Sequence, residues 1–340
     1  MNIALIQTPY HLMIFQRILK LKKFRHSTWT IYCSSLIIEE ARQKITSKEI
    51  LEYSNLDLSL KREILFNLNH YKKIRSGIKD FRLNFKNIQY SNSISNFITF
   101  SEKSLISQLI LKDLNTSTKV WCIDEGVGPY RKRQRRDFLI KLLYKGFTPF
   151  LIGFQYDFFR VLGTHNRIDA LVLRIPSKNK KVISFQEFGL NQTPSRDPYS
   201  GERSNNILVL TGPYSEDSKI LKKEEISIYS KVIKLLTKKG FNIIIKPHPR
   251  ELIEKYSTFR AYSNLAFIEY NKSSEELDYF QFDYIVNFYS SAVIDIISHG
   301  YDGDRIISID LVEKIDLKGV FDRTHQINRK NLDKIRDILR

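Results

Sequence analysis

Short apolar runs recur along this chain, each closed by a polar or Gly/Pro-containing loop and followed by a stretch with helical spacing. Residues 2–6 form the first run and end at Gln7-Thr8-Pro9. Apolar positions at Leu12, Ile14, Phe15, Ile18 and Leu19 then predict a helix. Runs at 28–34, 96–100 and 118–123 predict further strands, with helical stretches at 37–45, 60–87 and 103–114. The alternation restarts with strands at 207–211, 241–246, 265–269, 284–287 and 305–310. Helices are expected at 224–239, 274–280 and 292–298, with Gly240 stopping the first of them. Strands that alternate with helices imply parallel sheets, so the fold class is α/β.

Between the two series lies a polar, turn-rich stretch, residues 195–206. The expected organisation is two Rossmann-like domains, 1–195 and 204–340, with parallel sheets facing a central cleft. A length of 340 residues suits two domains. The C-terminal helix has the option of packing back on the first domain.

Composition narrows the function classes. Hydrophobic residues make up 42% and charged residues 27%, which excludes a disordered chain. Two cysteines, Cys33 and Cys122, exclude a disulfide scaffold and a cysteine-rich zinc module, and both read as buried thiols in strands. The formal net charge of +18 calls for an anionic partner: nucleic acid, a membrane surface or an acidic substrate. The N-terminus does not read as a signal peptide. The best candidate span, starting at Phe138, is broken by Lys141, Lys145, Pro149 and Asp157. The expectation is a cytoplasmic protein with peripheral membrane contact.

Three loops at strand C-termini carry the candidate chemistry, since ligands of open α/β sheets bind at such ends. Asp124-Glu125-Gly126 is either an acidic turn or the seat of a general base that takes a proton from an acceptor hydroxyl. Lys246-Pro247-His248-Pro249-Arg250 holds a histidine between two prolines, which restrain its backbone, beside two cations that suit a phosphate. Ser290-Ser291 precedes a helix and reads either as an ordinary N-cap or as an anion site. The remaining histidines form no ligand spacing. His11, near the Thr8-Pro9 loop, is assigned a packing role, with lining of the site as the alternative.

The order acidic-acidic-Gly, then His-Pro, then Ser-Ser resembles the bacterial sialyltransferases, most closely the lipooligosaccharide sialyltransferases and capsular polysialyltransferases. The opening Gln7-Thr8-Pro9-Tyr10 is similar to the start of those enzymes. The resemblance implies a GT-B fold, CMP-sialic acid as donor, inversion at the anomeric carbon, and neither cofactor nor catalytic metal. It implies that Glu125, or else Asp124, is the base, and that His248 contacts the nucleotide phosphate or assists the leaving group. Ser290 and Ser291 would bind that phosphate, with Lys246, Pro249 and Arg250 beside it. Glu275, in Ser273-Ser274-Glu275, matches a family glutamate that contacts the ribose. Thr8, Pro9 and Gly126 belong to the acceptor side.

The chemistry is consistent with that assignment. A departing CMP gathers negative charge on its phosphate, which an imidazole, hydroxyls and cations can meet in place of a metal. Asp302-Gly303-Asp304, the nearest sequence to a metal-binding acidic pair, reads as a turn. The run from Arg131 to Arg136, including Arg133, reads as a solvated face, a guide for a polyanionic acceptor, or a lipid contact continued by the aromatic-rich stretch after it. Both functional readings suit an enzyme that builds an acidic surface glycan at the inner face of the cytoplasmic membrane. Transfer of another CMP-activated nonulosonic acid, or of another nucleotide-activated sugar, is the nearest variant. A basic nucleic-acid-binding protein is the alternative of a different class, although no nucleic-acid-binding signature is present. A catalytically inactive assembly subunit is a third, and retention of all three loops argues against it.

Overall fold

The structure, a computed structural model, describes residues 1–35, 37–45, 49–53, 68–125, 135–157, 163–175, 181–190, 205–248, 250–268, 277–311 and 320–339. The chain divides into two compact units, Met1–Asn191 and Gln192–Arg340.

The first unit runs β1 (Asn2–Ile6), α1 (Pro9–Lys20), β2 (Trp29–Ser34), α2 (Ile38–Lys44), β3 (Glu49–Tyr53), α3 (Leu68–Ser91) and β4 (Asn96–Thr99). It continues through α4 (Leu105–Asp113), β5 (Lys119–Ile123), α5 (Arg135–Ile152), β6 (Ala170–Leu173), β7 (Val182–Ser184) and α6 (Phe185–Phe188). The described strands form one parallel sheet in the order β3-β2-β1-β4-β5-β6-β7. Both faces are covered, which is why Ile3 to Ile6 of β1 are apolar without alternation. Ile3 and Leu5 join a core built with α3 and α4, while Ala4 and Ile6 join one built with α1, α2 and α6.

The second unit contains β8 (Asn206–Leu210), α7 (Lys222–Lys238), β9 (Asn242–Lys246), β10 (Leu265–Phe267), β11 (Tyr284–Asn287), α8 (Ala292–Ser298), β12 (Ile306–Asp310), β13 (His325–Asn328) and α9 (Ile335–Ile338). Its parallel sheet has the order β10-β9-β8-β11-β12-β13. Gly240 ends α7 with φ +82°, a conformation that glycine adopts without the Cβ penalty. Of the expected helix at 274–280, residues 274–276 lie outside the described residues, and Tyr279–Gln281 is a single 3₁₀ turn. The last helix, for which the sequence left open a return to the first domain, buries Ile335 in the core of the second unit.

Both sheets reverse direction beside their first strand, between β1 and β4 and between β8 and β11. In doubly wound folds the crevice at such a reversal is where ligands bind, at the carboxyl ends of the strands. The three sequence-selected loops leave the carboxyl ends of β5, β9 and β11.

Candidate active site

In the first unit, the turn from β1 into α1 delivers a histidine to the acidic loop. Thr8 is the N-cap of α1 and its hydroxyl accepts from His11 N at 3.3 Å. Pro9 fills the first helical position, where its missing N–H costs nothing. Gln7 N donates to His11 Nδ1 at 3.1 Å, so the neutral imidazole carries its proton on Nε2. That atom lies 3.1 Å from Glu125 Oε2. The ring is 2% exposed and stacks on Phe100, with centroids 4.2 Å apart and planes 6° from parallel. Phe100 directly follows β4, so the contact sits on the reversal of the sheet.

The two carboxylates of the acidic loop have opposite surroundings. Asp124 is fully buried and paired with Arg174, whose Nη2 and Nε donate to Oδ1 and Oδ2 at 3.2 and 3.3 Å. Arg174 N also donates to Oδ2, at 3.4 Å, and the guanidinium lies over the Tyr10 ring, 5.3 Å from its centroid. The Glu125 side chain is 28% exposed. Among the described residues its only polar partner is His11, through Oε2, which leaves Oε1 open. Cys122, three residues before Glu125 within β5, is buried beside Glu102, and burial pushes its thiol well above the ordinary range. It is therefore no nucleophile.

In the second unit, His248 follows β9 on a loop anchored from below by Glu251. Glu251 Oε2 accepts from His248 N at 2.6 Å, and Glu251 N donates back to His248 O at 2.9 Å. The same carboxylate accepts from Thr211 Oγ1 at 2.6 Å, Tyr256 OH at 2.8 Å and Lys255 Nζ at 2.6 Å. The Lys255 ammonium also reaches Glu225 at 3.1 Å and Glu216 at 3.2 Å. These three carboxylates are close enough to share a metal ion, but Lys255 already places a positive charge among them. Burial lowers the Lys255 pKa, yet the hydrogen bond and charge of Glu251, with Glu225 behind it, outweigh burial and raise it.

The His248 imidazole accepts from Arg250 N through Nδ1 at 3.1 Å, so its neutral form presents Nε2–H. Burial, then the charges of Arg250 and Lys246, bring its pKa down from 6.5 to about 4. Lys246 is itself buried and donates to its neighbour's carbonyl, Pro247 O, at 2.9 Å. Arg250 is exposed and pairs with Asp217 at 2.8 Å. At the end of β11, Asn287 Oδ1 accepts from Ser290 N at 2.6 Å, and Tyr289 takes φ +50°. Ser290 Oγ accepts from Ala292 N at 3.3 Å, whereas the exposed Ser291 makes no side-chain cap bond although it occupies the N-cap. Tyr214 OH donates to Phe288 O and so ties the loop after β8 to the one after β11, the two strands that flank the reversal.

The sequence profile of the alpha-2,8-polysialyltransferase family matches residues 2–297. The chain belongs to that family. A search of curated proteins finds no match. Among solved structures, the chain is similar to the glycosyltransferase of kitacinnamycin, with 9% identity and a TM-score of 0.57 over 99% of this chain and 89% of that one. It is also similar to the calicheamicin glycosyltransferase CalG4, with 9% identity and a TM-score of 0.53 over 99% and 88%. The UDP-GlcNAc 2-epimerase of Methanocaldococcus jannaschii shows 11% identity and a TM-score of 0.54 over 100% and 92%. At these identities the likeness carries the fold, which is GT-B.

This alpha-2,8-polysialyltransferase family member is thus a glycosyltransferase whose sequence-selected residues fall into two constellations, one in each unit. Thr8, Pro9, Asp124 and Glu125 gather at the carboxyl ends of the first sheet, and Lys246, His248, Arg250, Ser290 and Ser291 at those of the second. Gly126, Arg131, Arg133, Pro249 and Glu275 lie outside the described residues. His11, assigned to packing from sequence, does pack on Phe100 but also holds the Glu125 carboxylate. Arg174, Glu251 and Lys255 carried no sequence signal.

Proposed function

We propose that this glycosyltransferase moves sialic acid from CMP-sialic acid to a hydroxyl of an anionic surface glycan, with inversion at the anomeric carbon. The observation that carries the reading is the contrast between Asp124, buried against Arg174, and Glu125, partly exposed with Oε1 unpartnered among the described residues. A carboxylate locked in an interior ion pair cannot approach a substrate, so Glu125 is the base. Its Oε1 takes the proton of the acceptor hydroxyl as the hydroxyl oxygen bonds to the anomeric carbon. The bond from that carbon to the phosphate oxygen breaks, and CMP departs with the electron pair.

The negative charge that develops on the phosphate falls to the second unit. His248 offers Nε2–H as a neutral donor, Ser290 and Ser291 offer hydroxyls, and Arg250 adds positive charge. With a pKa of about 4, His248 is a hydrogen-bond donor in the resting enzyme rather than a proton donor. A bound phosphate raises that value and so brings the acid role within reach. Lys246 acts from the interior through its charge, Glu275 binds the ribose, and no metal takes part. Arg131 and Arg133 guide the acceptor, and the enzyme works at the inner face of the cytoplasmic membrane.

The test is product analysis with CMP-sialic acid and a panel of lactoside and oligosialyl acceptors, alongside thermal stabilisation by CMP, ATP and single-stranded oligonucleotide. Stabilisation by CMP and extension of an acceptor support the reading. Stabilisation by the oligonucleotide alone, without transfer, points instead to a nucleic-acid-binding protein.

A further inference from the structure

We propose that α5 is an in-plane membrane anchor that sets its outward face among the headgroups and upper acyl chains of an anionic bilayer. Six of the eleven exposed large apolar side chains among the described residues lie on this one helix: Phe138, Leu139, Leu142, Leu143, Phe147 and Phe150. Their exposures run from 51% to 87%, with Phe150 the highest. At about 100° per residue they cover about half of the helix circumference, and no polar residue interrupts that arc between Phe138 and Phe147 on the described face. The opposite side is the one that packs inward. Thr148 and Ile152 are buried there, and Ile152 belongs to the core built with α3 and α4. The helix is therefore tethered along one side and apolar along the side left over.

Charge selects the occupant. Residues 131–145 contain seven Lys and Arg and a single acid, Asp137. Lys145, exposed, borders the apolar arc at its Phe138 edge, and Lys141, also exposed, lies further round the helix. A second protein with an apolar face would match the phenylalanines and leucines but would gain nothing from a segment whose sequence is this rich in cations. An anionic lipid surface meets both, since rings and aliphatic chains enter the acyl boundary while cations pair with headgroups. The helix does not span the bilayer: no described helix is long and apolar enough to cross one. Its 18 residues lie flat instead. α5 starts ten residues after Glu125, so the anchoring helix and the base belong to the same unit.

The inference is independent of the transferase reading, because it is tested by binding without turnover. The full-length chain is floated with vesicles of phosphatidylcholine alone or mixed with phosphatidylglycerol, at low and high salt. The expected result is flotation with the anionic vesicles, weakened by salt. The Phe147→Ser/Phe150→Ser double variant should bind roughly tenfold more weakly or worse, since each buried ring is a large apolar gain. Lys141→Glu/Lys145→Glu should lose most of the preference for anionic lipid. The phenylalanine pair is exposed, so the melting temperature of the Ser variant should not move. A Phe150→Trp reporter should shift its emission to the blue on anionic vesicles. Equal flotation of the Ser variant and the parent overturns the inference. So does a lipid-free dimer that the Ser substitutions dissociate, in a chain that no vesicle binds, which would assign the face to a second copy.

Discussion

The Nε2 atom of His11 lies 3.1 Å from Oε2 of Glu125, across 114 residues of chain. With Gln7 N donating to Nδ1, the ring has one orientation and one tautomer in which to offer its proton to the carboxylate. On the account above, His11 is a positioning residue for the base. His11→Ala should lower kcat roughly tenfold to a hundredfold, the scale of a small misplacement of a catalytic group, with KM for the donor little changed. His11→Gln, whose amide can still donate to Glu125, should recover part of the loss. Unchanged kcat in His11→Ala would confine the residue to packing against Phe100.

Asp124 and Arg174 should behave as a structural pair. Arg174→Ala leaves a fully buried carboxylate without its guanidinium, a change that typically costs about 3–5 kcal/mol. Denaturant unfolding should show that loss. The double variant Asp124→Leu/Arg174→Met should be milder than Arg174→Ala alone, because it removes both charges together. Glu125→Gln, by contrast, should leave unfolding nearly unchanged.

Lys255 should matter to His248 from a distance. Lys255→Met strands Glu216, Glu225 and Glu251 together without their shared ammonium. The expected loss is again about 3–5 kcal/mol at neutral pH. It should shrink in acid, where the crowded carboxylates take up protons and stop repelling one another. A loss that grew in acid would contradict this account of the cluster.

His248 should give stability a pH dependence of definite sign. The unfolded chain takes up its proton near 6.5, while the folded chain resists until about 4. Between those values the unfolded state binds more protons, so stability falls as pH falls through that window. Unfolding of His248→Asn across the same window should show a flatter profile. CMP binding should tighten toward acid in the parent and much less in the variant, because a phosphate favours the protonated ring.

How far the fold was legible in sequence follows from burial. The central strands β1, β2, β5, β8, β9, β11 and β12 are covered on both faces and read as apolar runs. Of the edge strands, β10 showed as the run at 265–269, whereas β3, β7 and β13 did not. β3 carries two exposed glutamates among its five residues and buries only Tyr53, β7 has three residues, and β13 buries only Ile327. β6 is apolar but only four residues long, and it precedes the Arg174 that its neighbour needs. α5 was legible as an apolar, cationic stretch but not as a helix, since Pro149 falls in its last turn, where Pro149 O still accepts from Gly153 N. At the site, Glu125 and His248 stood out because residue type and loop context agree. Arg174 did not, because only the pairing of β5 with β6 brings it to Asp124. His11 was half legible: the Thr8 cap and Pro9 place it in the first turn of α1, but its carboxylate partner lies on another strand end.

The central claim is that Glu125 deprotonates the acceptor for transfer from CMP-sialic acid. The most direct measurement compares the parent with Glu125→Gln, with CMP-sialic acid and an oligosialyl acceptor, reading both transfer rate and CMP affinity. The account predicts extension of the acceptor by the parent. It predicts a rate about 10²–10⁴-fold lower in the variant, with CMP affinity retained, as loss of a general base requires. Transfer by Glu125→Gln at the parent's rate, or no transfer from CMP-sialic acid by the parent, would contradict it.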